Sequence, residues 1–272
     1  MQNKTNTQAI QVKESSNIIS WVAPIGCIFL GELLYYLVLG RGSNFEDPEN
    51  LKGPLNWMGR MYEGGVIVPI LIGLFLMVVV FSIERYFSIK AANGNGNQAA
   101  FINQIQALLD QNNMKAAFEA CDNQKGALGN VMKTGLTSYQ RMLDNQTLTL
   151  EQKLQTIQKD VEEASALELP MLEKNMVFLS TITSLSVLIA LLGTVLGMIR
   201  SFANLGDSGG GAGAIELAKG ISEALYNTAV GIATGSLALI MYNLFVTKTE
   251  NIVHKAEESS VILTNSFVKN AK

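Results

Sequence analysis

Hydroxyl-bearing and small side chains recur at three- and four-residue steps in two apolar stretches of the sequence. The first series contains Thr183, Val187, Ala190, Thr194, Gly197 and Ser201. The second series contains Gly220, Ala224, Thr228, Gly231, Gly235 and Ala238. In an α-helix, such steps place the members of each series on one face. Because a threonine hydroxyl both donates and accepts a hydrogen bond, such a face offers polar groups within an apolar layer.

A packing role is the competing interpretation of both series. Within lipid, small residues allow helix backbones to approach closely, and close packing then drives association in place of hydrophobic burial. A threonine can also donate its hydroxyl to the carbonyl three or four residues earlier in its own helix and only fill the interface. Spacing alone favours this interpretation. It assigns helix packing to Gly193, Gly197, Gly220, Ala224, Gly231 and Gly235.

Both series lie in uncharged stretches that are long enough to cross a membrane. The chain carries no charge over the 25 residues between Lys174 and Arg200, nor over the 24 residues between Glu223 and Lys248. At 1.5 Å per residue each stretch forms a helix of roughly 36 Å, which exceeds a hydrocarbon layer of about 30 Å. We therefore predict a membrane hairpin of two helices, at 174–203 and 217–247.

Two further apolar stretches extend the prediction to four transmembrane helices. Residues 17–40 form the first, which only Glu32 interrupts, and residues 64–86 form the second, which ends in Glu84 and Arg85. A cleaved signal peptide is the competing interpretation of 17–40, but that stretch is long, carries an acid and ends without a small-x-small pattern. The predicted class is all-α: a polytopic membrane protein with long helices that extend into the cytoplasm.

Composition narrows the function classes. The chain is 48% hydrophobic and 16% charged, and its net charge of −3 gives no electrostatic reason to expect nucleic acid as a partner. Two cysteines and one histidine, set far apart, cannot form a metal or redox cluster. Since no set of nucleophile, base and acid appears on a polar segment, we expect neither an enzyme nor a cofactor.

The polar segments between the apolar stretches are predicted to be solvated. Thr149 and Gln152 have the spacing of a capping box, which predicts the start of one long helix that passes through Pro170, bends there and enters the membrane. The predicted polar segments are a flexible N-terminus at 1–16, a loop at 41–63, a helical domain at 87–173, a glycine-rich link at 204–216 and a helical tail at 248–272.

Lysine and arginine placement predicts the orientation. The link after Arg200 has neither residue up to Glu216, whereas the segment 90–174 and the tail have many. Positively charged loops stay on the cytoplasmic side. The helical domain, the tail and both termini are therefore predicted to be cytoplasmic, with the loop and the link on the periplasmic side.

Two sequence blocks carry a family resemblance. Residues 191–199 read LLGTVLGMI and residues 220–231 read GISEALYNTAVG, with Tyr242 and Asn243 following. Their content and order resemble the MotA, TolQ and ExbB proton-channel family, and ExbB within it. The chain differs from the usual family pattern at Ser186 and Val187, where an alanine-proline pair is common. The resemblance implies at least three membrane crossings, so the first of the four predicted helices is an additional N-terminal helix.

The resemblance implies a role for each candidate residue. It implies an ExbB-type homo-oligomeric ring, a pentamer, in a bacterial inner membrane, enclosing helices of an ExbD-like partner. Proton influx would then do work on outer-membrane transport through a TonB-like protein. Neither uncharged stretch has an interior acid or base, so the proton carrier would be an aspartate on the partner. Thr194 and Thr228 would face it.

The remaining charged residues allow more than one interpretation. By the resemblance, Glu223 belongs either to the proton path or to a salt bridge between subunits. The alternative is a snorkelling charge at the membrane edge that has no functional role. Arg85 and Arg200 are expected to be membrane-boundary anchors. At the level of function, a TolQ-like or MotA-like stator and a non-conducting oligomeric membrane scaffold are the alternatives.

Overall fold

The structure is a computed structural model, and it describes residues 17–207 and 211–270. In this part of the chain, four helical segments are long and apolar enough to cross a membrane: Val22–Leu39, Ile67–Ala92, Met176–Ala203 and Leu217–Asn270. They confirm the predicted class, an all-α polytopic membrane protein. The N-terminus at 1–16, which was expected to be flexible, lies outside the described residues.

The first membrane segment is followed by more regular structure than the sequence predicted. Helix α1 (Asn17–Leu34) continues into a π-helical turn (Tyr35–Leu39), and a 3₁₀ turn (Gly42–Asn44) comes next. Strands β1 (Phe45–Asp47) and β2 (Lys52–Pro54) then pair antiparallel, before helix α2 (Trp57–Glu63). The predicted loop at 41–63 therefore contains a β-hairpin as well as a short helix. The Asp47 carboxylate closes the hairpin turn by accepting the backbone N–H groups of Glu49 and Asn50.

The rest of the described chain is helical. The elements are α3 (Ile67–Ala92), α4 (Gln98–Asp110), α5 (Met114–Gln124), α6 (Gly126–Asp144), α7 (Leu150–Glu173), α8 (Met176–Asp207) and α9 (Gly211–Asn270). Helix α7 begins at the capping box that the sequence predicted, with Thr149 and Gln152 each satisfying the other's backbone N–H.

The helix expected to continue through Pro170 into the membrane is interrupted, and proline is not the cause. Pro170 lies inside α7, and the helix stops after Glu173. Asn175 has a φ of +64°, a left-handed conformation that ends a right-handed helix and that asparagine tolerates better than most residues. Its amide also donates to Glu84 Oε2 at 3.3 Å, which holds the break in place.

The glycine-rich link is shorter than predicted. Residues 204–207 complete α8 and residues 211–216 begin α9, while residues 208–210 lie outside the described part. Helix α9 then runs for 60 residues, so the last membrane segment and the tail form one continuous helix.

The chain divides into two compact units. The first contains the residues up to Met77 together with Gly193–Asn227, and the second contains Val78–Leu192 together with the residues from Thr228 onwards. In the first unit, a Cβ at Gly31 of α1 would lie 2.6 Å from the Pro69 carbonyl oxygen and 2.7 Å from the Gly73 nitrogen. The additional N-terminal helix therefore packs on α3 with the two backbones in contact.

The second unit contains the hydrophobic core of the helical domain. The tail at 248–270, expected to be solvated, contributes Leu263 and Phe267 to this core, where the Phe267 ring meets Tyr139 edge to face. The Tyr139 hydroxyl donates to the Ser266 carbonyl and accepts from Asn270 Nδ2 at 3.0 Å. The fully buried core side chains are Ile105, Leu109, Ala117, Leu128, Met132, Leu136, Tyr139, Ile157, Leu263 and Phe267.

Arg85 is buried in the second unit and does not reach outwards as a boundary anchor would. Its side chain is 1% exposed, and its guanidinium forms a two-point ion pair with Glu84 at 2.6 and 2.7 Å. Nη1 also donates to the carbonyls of Leu172 and Met171, in the last turn of α7. Because these carbonyls lack partners within their own helix, Arg85 caps the C-terminus of α7.

We expect Arg85→Met to destabilise the protein. The substitution leaves Glu84 and two helix-terminal carbonyls without their donor, at a cost of about 2 to 3 kcal/mol once the partial exposure of Glu84 is considered. The measurement is the thermal unfolding midpoint of the purified protein in detergent, with Arg41→Met, at an exposed position, as the matched control. Equal midpoints for both variants would contradict the capping role.

Candidate functional site

Helices α8 and α9 meet at glycines of the second series. In the second unit, a Cβ at Gly231 would lie 2.7 Å from the Ser186 carbonyl oxygen and would overlap the Ala190 side chain. A Cβ at Gly235 would lie 2.7 Å from the Thr183 carbonyl oxygen and 2.8 Å from Ser186 Oγ. No larger side chain fits at either glycine without separating the two helices.

The same contact is present between the parts of α8 and α9 in the first unit. A Cβ at Gly197 would lie 2.9 Å from the Ala224 Cβ, and a Cβ at Gly220 would overlap Ser201 Oγ. That hydroxyl donates to the Gly197 carbonyl of its own helix at 2.8 Å. Gly193 instead faces α3, since a Cβ there would lie 3.0 Å from Ile67 Cγ2.

The structure places the two candidate threonines in different units. Thr194 lies on α8 in the first unit and Thr228 on α9 in the second, and both side chains are half-buried. Thr183, in the same series as Thr194, donates its hydroxyl to the Leu179 carbonyl at 3.0 Å. At Thr183 and Ser201 the hydroxyl thus satisfies its own helix, as the packing interpretation expected. The lining role of Thr194 and Thr228 stays a prediction.

A polar cavity of about 390 Å³ lies in the first unit. Its walls come from the end of α2, the start of α3, and the parts of α8 and α9 that belong to this unit. The polar and charged side chains that line it are Glu63, Arg200, Ser201, Lys219, Glu223 and Asn227. Glu223 and Arg200, which the sequence placed at the edges of the membrane hairpin, therefore share one cavity.

The charges in this cavity are paired unequally. Lys219 Nζ lies 2.5 Å from Glu63 Oε1 and 3.9 Å from Glu223 Oε1, on the next turn of its own helix. The side chains of Glu63 and Glu223 are 12% and 24% exposed, whereas that of Lys219 is 49% exposed. Lys219 therefore binds Glu63 closely and Glu223 loosely.

The segment at the end of α2 is attached to α9 at three points. Arg60 Nη1 donates to the Tyr226 hydroxyl at 3.4 Å, Glu63 pairs with Lys219, and Asn227 Nδ2 donates to the Gly64 carbonyl at 3.1 Å. A fixed segment on one side and a packed helix on the other hold the cavity open.

Asn227 also presents an unsatisfied acceptor. Its side chain is 3% exposed, and its Oδ1 has no hydrogen-bond partner among the described residues. A buried amide oxygen without a donor costs about 1 to 3 kcal/mol, so such an atom indicates a site for water or for a donor group. Asn227 lies one helical turn after Glu223 and lines the same cavity.

The additional N-terminal helix reaches this site through aromatic contacts. The ring of Tyr35, at the end of the first membrane segment, stacks on the Tyr62 ring with centroids 4.5 Å apart. Its hydroxyl donates to the Tyr62 carbonyl at 2.8 Å. Asn56 caps the N-terminus of α2, since its side chain accepts the Gly59 N–H. Gly65, with a φ of +74°, then turns the chain into α3. These contacts fix the residue that follows Tyr62, which is Glu63.

Sequence reasoning found part of this site. It identified Glu223 and Arg200 from their places beside uncharged stretches, but it missed Glu63, Lys219 and Asn227. The four-residue step from Lys219 to Glu223 is a helical ion-pair signal that could have been used. Nothing in the sequence signals Glu63, because six helices, α3 to α8, separate it from its partner Lys219 along the chain.

Comparison with known proteins identifies the family. Residues 123–258, half of the chain, match the MotA/TolQ/ExbB proton channel family. The chain belongs to this family. The match includes the α8 and α9 residues of the cavity, and it excludes α1, α2 and Glu63.

Individual relatives include both ExbB-like and TolQ proteins. The biopolymer transport protein ExbB-like 3 of Synechocystis sp. is 30% identical over 186 residues, which cover 67% of this chain and 81% of the relative. The biopolymer transport protein ExbB of Helicobacter pylori is 38% identical over 97 residues, 36% of this chain and 66% of the relative. The Tol-Pal system protein TolQ of Pseudomonas aeruginosa is 28% identical over 137 residues, 49% of this chain and 59% of the relative.

We expect Gly231→Leu to separate α8 from α9. The added side chain would meet Ala190 and the Ser186 backbone, and overpacking of this kind costs about 1 to 3 kcal/mol. The measurement is the unfolding midpoint in detergent together with the oligomer size by gel filtration. Ile232→Leu, at the exposed neighbouring position, is the matched control, and equal behaviour of the two variants would show that the glycine contact is not required.

Proposed function

We propose that this chain is an inner-membrane proton-channel subunit of an ExbB-ExbD-TonB type complex, which uses the proton motive force to energise outer-membrane transport. One observation carries the proposal: two paired membrane helices bear hydroxyl groups, yet no acid or base lies between Lys174 and Arg200 or between Glu223 and Lys248. A proton path through lipid needs an ionisable group. The proposal therefore requires a partner helix that supplies one.

The proposed assembly is a homo-oligomeric ring, a pentamer, around the helices of an ExbD-like partner. Thr194 and Thr228 line the path opposite the partner's carboxylate, and each hydroxyl can donate to it or accept from it. Large apolar side chains of α8 stay exposed in the single chain, which suits contact with lipid and neighbouring subunits. They include Leu188, Leu191, Leu192, Val195 and Ile199.

The proposed orientation places both termini in the cytoplasm. The α8 to α9 turn then faces the periplasm, and the cavity that contains Glu63 and Glu223 lies at the periplasmic end of the membrane hairpin. Under the usual proton motive force protons enter from that side. A cavity with two carboxylates at that end supports an inward proton path.

The charges of the cavity support protons over sodium ions. A bound Na⁺ needs several oxygen ligands and a negative surrounding. Here the Lys219 ammonium already occupies the space beside the Glu63 carboxylate, and Arg200 adds a second positive charge. A proton that transfers to a carboxylate needs no separate ion site beside these two cations.

A TolQ-like stator is the second candidate, since TolQ of Pseudomonas aeruginosa matches 49% of this chain. We expect gentle extraction of the tagged protein to recover a single-span partner with a membrane aspartate and a TonB-like protein, identified by mass spectrometry. Recovery of a peptidoglycan-binding partner instead would favour the TolQ-like or MotA-like stator. A lone oligomer that conducts no ions would favour the non-conducting scaffold.

We expect the double variant Thr194→Val and Thr228→Val to lose proton flux while the assembly persists. Valine keeps the shape of threonine but leaves a buried carboxylate without its hydroxyl partners. If the lost hydrogen bonds raise the barrier to proton transfer by about 1 to 3 kcal/mol, the rate of proton flux falls roughly tenfold or more. The measurement is dye-reported acidification of vesicles that contain the complex.

The matched control for the threonine pair is Thr247→Val. This hydroxyl is exposed and donates to the Asn243 carbonyl of its own helix at 3.0 Å, so its loss should leave the flux unchanged. Unchanged acidification in the double variant, with the complex intact by gel filtration, would contradict the proposed lining.

A further inference from the structure

Glu63 and Glu223 compete for one ammonium group, and Glu63 holds it. The distances from Lys219 Nζ are 2.5 Å to Glu63 and 3.9 Å to Glu223. Because the lysine ammonium is a compact charge whose attraction falls with distance, Glu63 is the better neutralised of the two carboxylates. Glu223 therefore has less stabilisation of its ionised form than a helical Lys-Glu pair would normally give.

Within residues 17–203 and 217–270, few other charged groups face Glu223. From α2 it faces Glu63, from its own helix Lys219, and from α8 Arg200, whose side chain is exposed. The start of α3 contributes only apolar Val66 and Ile67 to the cavity. Arg60, the nearest other cation on α2, donates to the Tyr226 hydroxyl.

A second observation indicates that the cavity holds a ligand. Asn227 Oδ1 is buried and lacks a hydrogen-bond partner among the described residues, and Asn227 is one of the residues that line the same cavity as Glu223. An acceptor of this kind requires a donor, and the cavity has room for several water molecules. Water and hydronium are donors small enough for this cavity, which Glu223, one helical turn before Asn227, also lines.

We propose that Glu63 is a positioning residue that withdraws Lys219 from Glu223, so that Glu223 accepts a proton from a hydronium held at Asn227. This inference rests on the proposed function and specifies where the proton path begins. The hydronium gives its proton to the Glu223 carboxylate, a neutral carboxyl forms, and a water molecule stays bound to Asn227 Oδ1. The Glu63 to Lys219 ion pair keeps its charge throughout.

The inference also gives the additional N-terminal helix a function. Glu63 lies outside the residues that match the family, and its position depends on the stacking of Tyr35 on Tyr62. Through this contact α1 holds α2, and α2 places Glu63 beside Lys219. The part of the chain that precedes the family match would thus set the proton affinity of Glu223, which lies within the match.

The test follows the protonation of Glu223 directly. The complex is purified with its partners in nanodiscs, and infrared difference spectra record the carbonyl stretch of protonated carboxyl groups over a pH series. The band that Glu223→Gln removes is assigned to Glu223. This measurement does not require ion flux, so it separates the inference from the proposed function.

We expect Glu63→Gln to lower the pH midpoint of the Glu223 band by at least about one pH unit, because an opposite charge released to within a few ångströms favours the ionised carboxylate. Lys219→Met should raise the midpoint, because it removes that cation. The double variant Glu63→Gln and Lys219→Met should have a midpoint close to that of Lys219→Met. Glu49→Gln, an exposed carboxylate of the same segment, is the matched control and should change nothing.

Two results would overturn the inference. One is an unchanged midpoint in Glu63→Gln, and the other is a shift of Glu63→Gln and Lys219→Met in the same direction. Proton flux into vesicles distinguishes a failure of this inference from a failure of the proposed function. If the unmodified complex moves no protons, the proposed function fails; if it does and Glu63→Gln keeps the same pH profile of flux, only the role of Glu63 fails.

Discussion

Backbone contact between α8 and α9 is the constraint on which the site depends. Within lipid, hydrophobic burial does not hold two helices together, so association relies on close approach at small residues. Gly197, Gly220, Gly231 and Gly235 provide that approach along the whole pair. It also decides where polar side chains can lie. On the contact face the Thr183 and Ser201 hydroxyls donate to carbonyls of their own helix, whereas the buried Ser186 hydroxyl has no partner among the described residues. Charged groups collect where the pair ends. The cavity forms at that end.

The class of the protein and its paired helices could be predicted because their signals are local. Stretches of 25 and 24 uncharged residues and small residues at helical steps are visible without knowledge of the fold. Even the start of α7 was visible, since a capping box needs only Thr149 and a glutamine three residues later. In each case the physical cause acts within a few helical turns.

The rest could not be predicted because its causes lie far apart in the sequence. Asn175 ends a helix only in the context of Glu84, which belongs to another element. Arg85 looks like a boundary charge until its two carbonyl partners on α7 are known. Ser186, where the chain differs from the usual family pattern, is a contact point, since this buried serine faces both Gly231 and Gly235. Tertiary contact, and not local propensity, decided these positions.

The ion pair of Glu63 with Lys219 has a consequence for biosynthesis. Helix α2 leaves the ribosome before the helical domain and α8 have been made, whereas Lys219 arrives only with the last helix. During that interval Glu63 lacks the Lys219 ammonium, and its own helix offers it the charge of Arg60. The ion pair of Glu63 with Lys219 can form only after the last helix has been made, which makes completion of the cavity walls a late step in biosynthesis.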